Sequence, residues 1–166
     1  MRRFDLILAA GLALLGSGAL AQGTGLTHWS DDGLGISAQV PLGWDVDTMP
    51  GGGVLFTQPG LDSHVAAHVA FRAHADAGTA LTSLHDQTLR AHLLEGDTVQ
   101  SDTIDDKGFD LRSRAAESGM VQWQITKRLS CKGGPVLASL DIRFPSGAAD
   151  QMQGLLADIP DSLGCK

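Results

Sequence analysis

Between residues 109 and 144 the chain is written in period two, and this restricts its fold more than any other feature. Phe109, Leu111 and Ala115 oppose Asp110, Arg112 and Arg114. Val121, Trp123, Ile125 and Leu129 oppose Gln122, Gln124, Thr126 and Arg128. Val136, Ala138, Leu140, Ile142 and Phe144 oppose Ser139, Asp141 and Arg143. Successive side chains on a strand point to opposite faces, so each run predicts a strand with one apolar and one polar side. Gly119 and Gly133-Gly134-Pro135 separate the runs, as turns require.

Residues 64–74 alternate in the same way. Val65, Ala67, Val69, Phe71 and Ala73 oppose His64, His68, Arg72 and His74. Ahead of them, Ile36, Ala38 and Val40, then Trp44 and Val46, then Val54-Leu55-Phe56 form short pieces. Pro41-Leu42-Gly43 and Gly51-Gly52-Gly53 separate these pieces, which read as a β-meander. Residues 98–104 are a weaker strand ending in Asp105-Asp106-Lys107-Gly108. Residues 79–95 change period: Leu81, Leu84, Leu89 and Leu93 sit three to five apart, and Gly96 stands where a helix stops. A last helix opens at Ser146, read as its N-cap, and ends at Pro160. Its stripe is Ala148, Met152, Leu155, Leu156 and Ile159. This order predicts an α+β fold, a mainly antiparallel twisted sheet of about six or seven strands with two helices.

Residues 1–21 have the form of a cleaved signal peptide. Arg2 and Arg3 precede an apolar run over 6–15, and Ala19-Leu20-Ala21 supplies the cleavage pattern. The run is about ten residues, too short to span a bilayer. No cysteine follows it, which argues against a lipid anchor. The remaining 22–166 has the length of one domain, and stable membrane insertion after cleavage is not expected. Arg2, Arg3 and Asp5 leave with the leader, so the mature chain carries 10 basic and 18 acidic residues. That balance disfavours nucleic acid and anionic lipid as partners. The chain has no Asn or Tyr and only four Lys against eight Arg. This is the codon bias of a GC-rich genome and, with the leader, points to a bacterial periplasm or to secretion. Cys131 and Cys165 are the only cysteines and lack C-x-x-C spacing. In an oxidising compartment they predict one disulfide. In the chain-entropy view, closing a loop of about 34 residues contributes roughly 3–4 kcal/mol.

The order of elements carries a resemblance. A secretory leader, Ile36-x-Ala38-x-Val40-Pro41-x-Gly43-Trp44, a glycine-rich turn into Phe56, one mid-chain helix, a meander, and a final helix closing on Ser162-Leu163 resemble the PsbP-like and DcrB-like small α/β sandwich proteins. The resemblance spans most of the mature chain, but its one sequence motif is the short P-x-G-W turn. It implies a non-enzymatic accessory or binding protein of an exported compartment, with no catalytic set to carry across. The alternating strands depart from a sandwich covered on both sides. They predict one sheet face that is open or only lightly covered, with both helices packed on the other.

No catalytic residue, metal site or cofactor is expected. The rival reading is a small periplasmic hydrolase or metal-binding protein using His64, His68 or His85. On one strand, however, His64 and His68 would stand about 13 Å apart and could not share an ion. His85 and His92 lie two turns apart on the first helix. Asp62-Ser63-His64 has triad residue types, but neighbours on a strand face opposite ways. Asp31-Asp32 and Asp105-Asp106 read as loop carboxylates, with a weak calcium site as the alternative. Trp123 reads as core, and Trp44 as packing beneath a hairpin or as a contact anchor.

One pattern is not accounted for by packing. Arg72, Arg112, Arg114, Arg128 and Arg143 all occupy polar-parity positions. On a single sheet face with His64, His68, Gln122 and Gln124 they would offer planar forks to a small anionic ligand or an acidic patch on an envelope protein. Against this, Asp110, Asp141 and Glu117 could neutralise them in cross-strand pairs worth tenths of a kcal/mol.

Overall fold

A computed structural model of the chain describes residues 25–62 and 64–166. Residues 1–24, on which the signal-peptide reading falls, and Ser63 lie outside the described residues. Ten strands occur in chain order: β1 (Leu26–Asp31), β2 (Ile36–Pro41), β3 (Asp45–Thr48), β4 (Val54–Thr57), β5 (His68–Ala75), β6 (Thr98–Ile104), β7 (Gly108–Arg114), β8 (Met120–Cys131), β9 (Gly134–Pro145) and β10 (Gly164–Cys165). The helices are α1 (Leu81–Leu94), α2 (Ala149–Leu156) and the single turn α3 (Ile159–Ser162).

The fold is α+β. Seven strands pair antiparallel in the order β3-β4-β5-β9-β8-β7-β6, and β1, β2 and β10 form a second sheet in the order β1-β2-β10. The expected meander is therefore split. β2 belongs to the small sheet and β3 to the large one, so Pro41-Leu42-Gly43 carries the chain between sheets instead of closing a hairpin. β1, which pairs with β2 along its whole length, was not anticipated from the sequence. The Gly51-Gly52-Gly53 turn does join β3 to β4. All three residues have positive φ, and a Cβ on Gly53 would stand 2.6 Å from the Phe71 carbonyl oxygen.

Register decides which side chains share a face. Cross-strand partners point the same way, and the pairs Val54↔Phe71, Phe71↔Leu140 and Ile125↔Leu140 put these residues on one face of the large sheet. There they meet Ile36, Ala38 and Val40 of β2 and Met152, Leu156, Ile159 and Leu163 of the C-terminal segment in one core. Trp29 joins this core, its ring 5.0 Å from Phe71 and 5.5 Å from Phe56. Trp123 is buried in it, and Trp44 packs against it. Cys131 and Cys165 are disulfide-bonded with Cα atoms 5.5 Å apart, joining the end of β8 to β10.

The second face is covered lightly and in part, with Arg72 of β5 exposed on it. The pairs Phe109↔Thr126, Leu111↔Gln124 and Ser113↔Gln122 place the apolar parity of β7 there, and α1 lies over it. The two helical segments thus sit on opposite faces, which corrects the expectation that both pack on one. The reason is local. β7 and Leu137 of β9 supply enough apolar surface on the second face to seat a helix, with Phe109, Leu111 and Leu137 at most 5% exposed.

Two smaller expectations also change. Residues 64–67 are turn and loop, so the strand begins at His68. Ser146 opens a short 3-10 turn over Ser146–Ala148 and makes no side-chain cap. Among the described residues no helix is long and apolar enough to cross a membrane.

Candidate functional site

The five arginines do not share a face. Arg72, Arg128 and Arg143 lie on the α1 face, through the pairs Arg72↔Ser139, Arg128↔Leu137 and Gln122↔Arg143. Arg112 and Arg114 pair with Trp123 and Val121, which puts them on the opposite side. Parity within β7 is as expected. The Ala115-to-Gly119 turn, closed by the Ala115 N–H donating to the Met120 carbonyl oxygen at 2.9 Å, fixes a register that inverts β7 relative to β8 and β9.

Their chemical states differ as much as their positions. Arg128 is fully engaged: its Nε donates to Asp76 Oδ2 and its Nη2 donates to the Thr79 carbonyl oxygen at 2.6 Å. This clamps β8 to the loop that enters α1. Asp76 is correspondingly held down to a pKa of about 2, first by the Thr79 N–H, then by Arg128 and by the Gly78 N–H. Arg143 is neutralised by Asp141 through two bonds of 3.0 Å. Arg72 is exposed and donates to Met49 Sδ at 3.5 Å.

Arg112 is different. Its guanidinium carbon stands 4.1 Å from the centre of the Trp123 ring. Trp123 in turn donates through Nε1 to Asp110 Oδ1 at 2.7 Å, which fixes the indole and engages that carboxylate. The Nε of Arg112 is buried and finds no acceptor among the described residues. Arg114 is exposed on the same face, and the β6 partners Ser101 and Thr98 add hydroxyls beside the two arginines. A planar cation stacked on an indole is suited to a carboxylate or phosphate oxygen.

The histidines of the rival reading are dispersed. His64 is exposed in a turn, where its N–H donates to Asp62 Oδ1 at 2.9 Å. His68 on β5 lies 3.2 Å from Thr57 Oγ1. His85 is buried on α1, with Nε2 2.6 Å from Asp102 Oδ1 and Nδ1 3.2 Å from Asp86 Oδ1. Burial lowers its pKa, but the bonds to Asp102 and Asp86 outweigh that and hold it above the ordinary value.

His92 builds a centre that motif spacing did not reveal. Nδ1 lies 2.7 Å from Asp97 Oδ2 and 3.2 Å from Ser113 Oγ, while Nε2 lies 3.2 Å from Gln124 Oε1. Ser, His and Asp are thus assembled, but Ser113 and Asp97 meet the same ring nitrogen. A nucleophilic relay needs them on different nitrogens, and Ser113 is only 1% exposed. His92, Glu95 and Asp97 could geometrically surround a cation. However, both His92 nitrogens face partners, Asp97 Oδ1 accepts the Ala116 N–H at 3.1 Å, and Arg143 borders the same groove. The donor set is committed to holding α1. A signal was present: Leu81, His85, Thr88 and His92 are spaced four, three and four apart, which makes them a docking stripe.

The loop carboxylates serve turns. Asp31 Oδ1 accepts the Leu34 N–H at 2.8 Å, and Asp105 Oδ1 accepts the N–H groups of Lys107 and Gly108 at 2.8 and 2.9 Å. A hollow of about 520 Å³ beside α3 and β8 sets Lys107, Lys127 and Arg128 against Asp105, Asp110 and Asp161, a balanced set.

No family model matches the sequence, and no curated protein does. Solved structures do match. The cyanobacterial PsbP protein CyanoP from Synechocystis aligns at a TM-score of 0.60 and 14% identity, over 92% of this chain and 99% of its own. LpqN of Mycobacterium tuberculosis, involved in cell envelope biogenesis, aligns at 0.51 and 15%, over 84% and 90%. The Ran-binding protein Mog1p of Saccharomyces cerevisiae aligns at 0.50 and 12%, over 83% and 94%. At these identities the likeness is one of fold, and the fold is the PsbP-like one that the order of elements suggested.

Proposed function

We propose that this chain is an exported accessory or binding protein of the bacterial envelope that does not catalyse. Its contact surface is the Arg112–Arg114 end of β7, and what docks there is a small anionic ligand or an acidic patch on an envelope protein. The observation that carries this reading is Arg112, stacked on Trp123 while the nearby Asp110 is engaged by the indole. The other three strand arginines are committed to Asp76, paired with Asp141, or set apart on the other face. The leader pattern supports export, and the involvement of LpqN in cell envelope biogenesis is in keeping with that compartment.

The test is affinity capture from an envelope extract with three forms of the mature protein. Wild type and Arg72→Ser/Arg143→Ser should retain the same partner or ligand. Arg112→Ser/Arg114→Ser should lose it, and raising salt should weaken the wild-type interaction. Equal retention by all three forms would overturn the proposal.

A further inference from the structure

We propose that α1 is a pH-responsive latch, held to the large sheet most tightly when His85 donates from both ring nitrogens and loosened when that ring loses a proton, with His92 as a second attachment. Apart from the Arg128 clamp on the loop at its entry and the half-buried Leu84 and Leu89, the helix has little else to hold it. Its buried residues are Leu81, His85 and His92, while Leu93 and Leu94 point outward at 57% and 82% exposure.

The donor pattern follows from what surrounds each ring. His85 faces a carboxylate from its own helix, Asp86, and another from β6, Asp102, with the Phe109 ring of β7 against its edge at 5.5 Å. Only the doubly protonated ring donates to both carboxylates; a neutral ring would turn a lone pair toward one of them. His92 faces Asp97 from the loop after α1, Ser113 from β7 and Gln124 from β8, with Glu95 close by. The Gln124 amide nitrogen points to Asp141 Oδ2 at 3.5 Å, and Asp141 is itself held by Arg143 of β9, so Gln124 Oε1 faces His92 Nε2. Asp97 Oδ2 faces Nδ1 on the other side.

The sign is fixed by His85, whose pKa in the fold lies above its ordinary value. Its contribution to docking is complete below about pH 6.5 and is lost as pH rises through that elevated pKa. Release uncovers Phe109 and Leu111 and frees the β6–β7 hairpin from the helix. This inference does not depend on the anion site.

The test uses the mature, disulfide-closed protein. Amide hydrogen exchange, corrected for intrinsic rates, should show α1 protection falling at least about tenfold relative to β8 and β9 between pH 6 and pH 9. His85→Gln should flatten that dependence. A constant ratio in wild type, or an undiminished dependence in the His85→Gln variant, would overturn the latch. Should the variant not fold, nitrogen NMR of the wild-type rings decides. Both nitrogens of His85 are expected to carry protons at pH 6, and a neutral tautomer there contradicts the proposal.

Discussion

Where the small sheet and the C-terminal helices cover the large sheet, the contact is aliphatic and aromatic throughout. Where α1 covers it, two histidines hold positions a leucine would ordinarily fill. On the first side Phe71, Ile142, Leu156 and Ile159 are fully buried, and the disulfide ties the chain end down. On the second side Leu81 is the buried leucine of the helix, and the attachments are hydrogen bonds to Asp102, Asp97, Ser113 and Gln124. Apolar burial is indifferent to proton concentration, whereas a charged hydrogen bond is not. One sheet therefore carries a permanent closure and a conditional one.

The largest effect should come from the permanent side. Leu156→Ala removes a side chain with no exposed surface and is expected to cost about 2–5 kcal/mol in denaturant unfolding. Its counterpart on α1, Leu93→Ala at 57% exposure, should stay within about 0.5 kcal/mol. Comparable losses at the two sites would erase the contrast. Next, removal of the disulfide by Cys131→Ser/Cys165→Ser should lower stability by roughly 3–4 kcal/mol under non-reducing conditions. The gap between variant and parent should close when both are measured in reductant.

A smaller effect sharpens the conditional side. Asp76 sits at the entry to α1 with its pKa held near 2, so its contribution is present above pH 4 and fades as pH falls toward 2. The Asp76→Asn variant should lose that acid dependence while leaving the alkaline loosening of α1 untouched. Acid and alkaline unfolding curves of the two proteins check this directly. Smallest of all in stability terms is Arg112→Ser. It forfeits one cation–aromatic contact, about 0.5–1 kcal/mol for a partly exposed pair, so any loss of binding greater than that is a loss of recognition.

Much of this was legible in the residues. Alternation located β7, β8 and β9 and the apolar parity of each, because a half-buried strand admits no other pattern. The stripe of Met152, Leu156 and Ile159 gave the packing side of the last helix, and two lone cysteines gave the bridge. What escaped was relational. Period two states which residues of β7 share a side, but only the turn length between β7 and β8 states which side that is. For that reason five arginines that look alike in sequence divide between two faces.

The docking stripe of α1 escaped for another reason. The leucines of α1 set its visible periodicity, whereas His85 and His92 occupy the buried positions and depend on partners beyond the helix, Asp102 and Gln124 above all. β1 was overlooked because Leu26-Thr27-His28-Trp29 carries a weak alternation that its pairing with β2 completes.

The central claim is that recognition belongs to Arg112 and Arg114 and not to the arginines on the helix-covered face. Side-chain NMR of the mature protein, titrated with the captured partner or ligand, tests it most directly. The Arg112 Nε–H and Trp123 indole signals should shift together and saturate, with those of Arg72 and Arg143 unmoved. Shifts at Arg72 and Arg143 with Arg112 and Trp123 unchanged would contradict it.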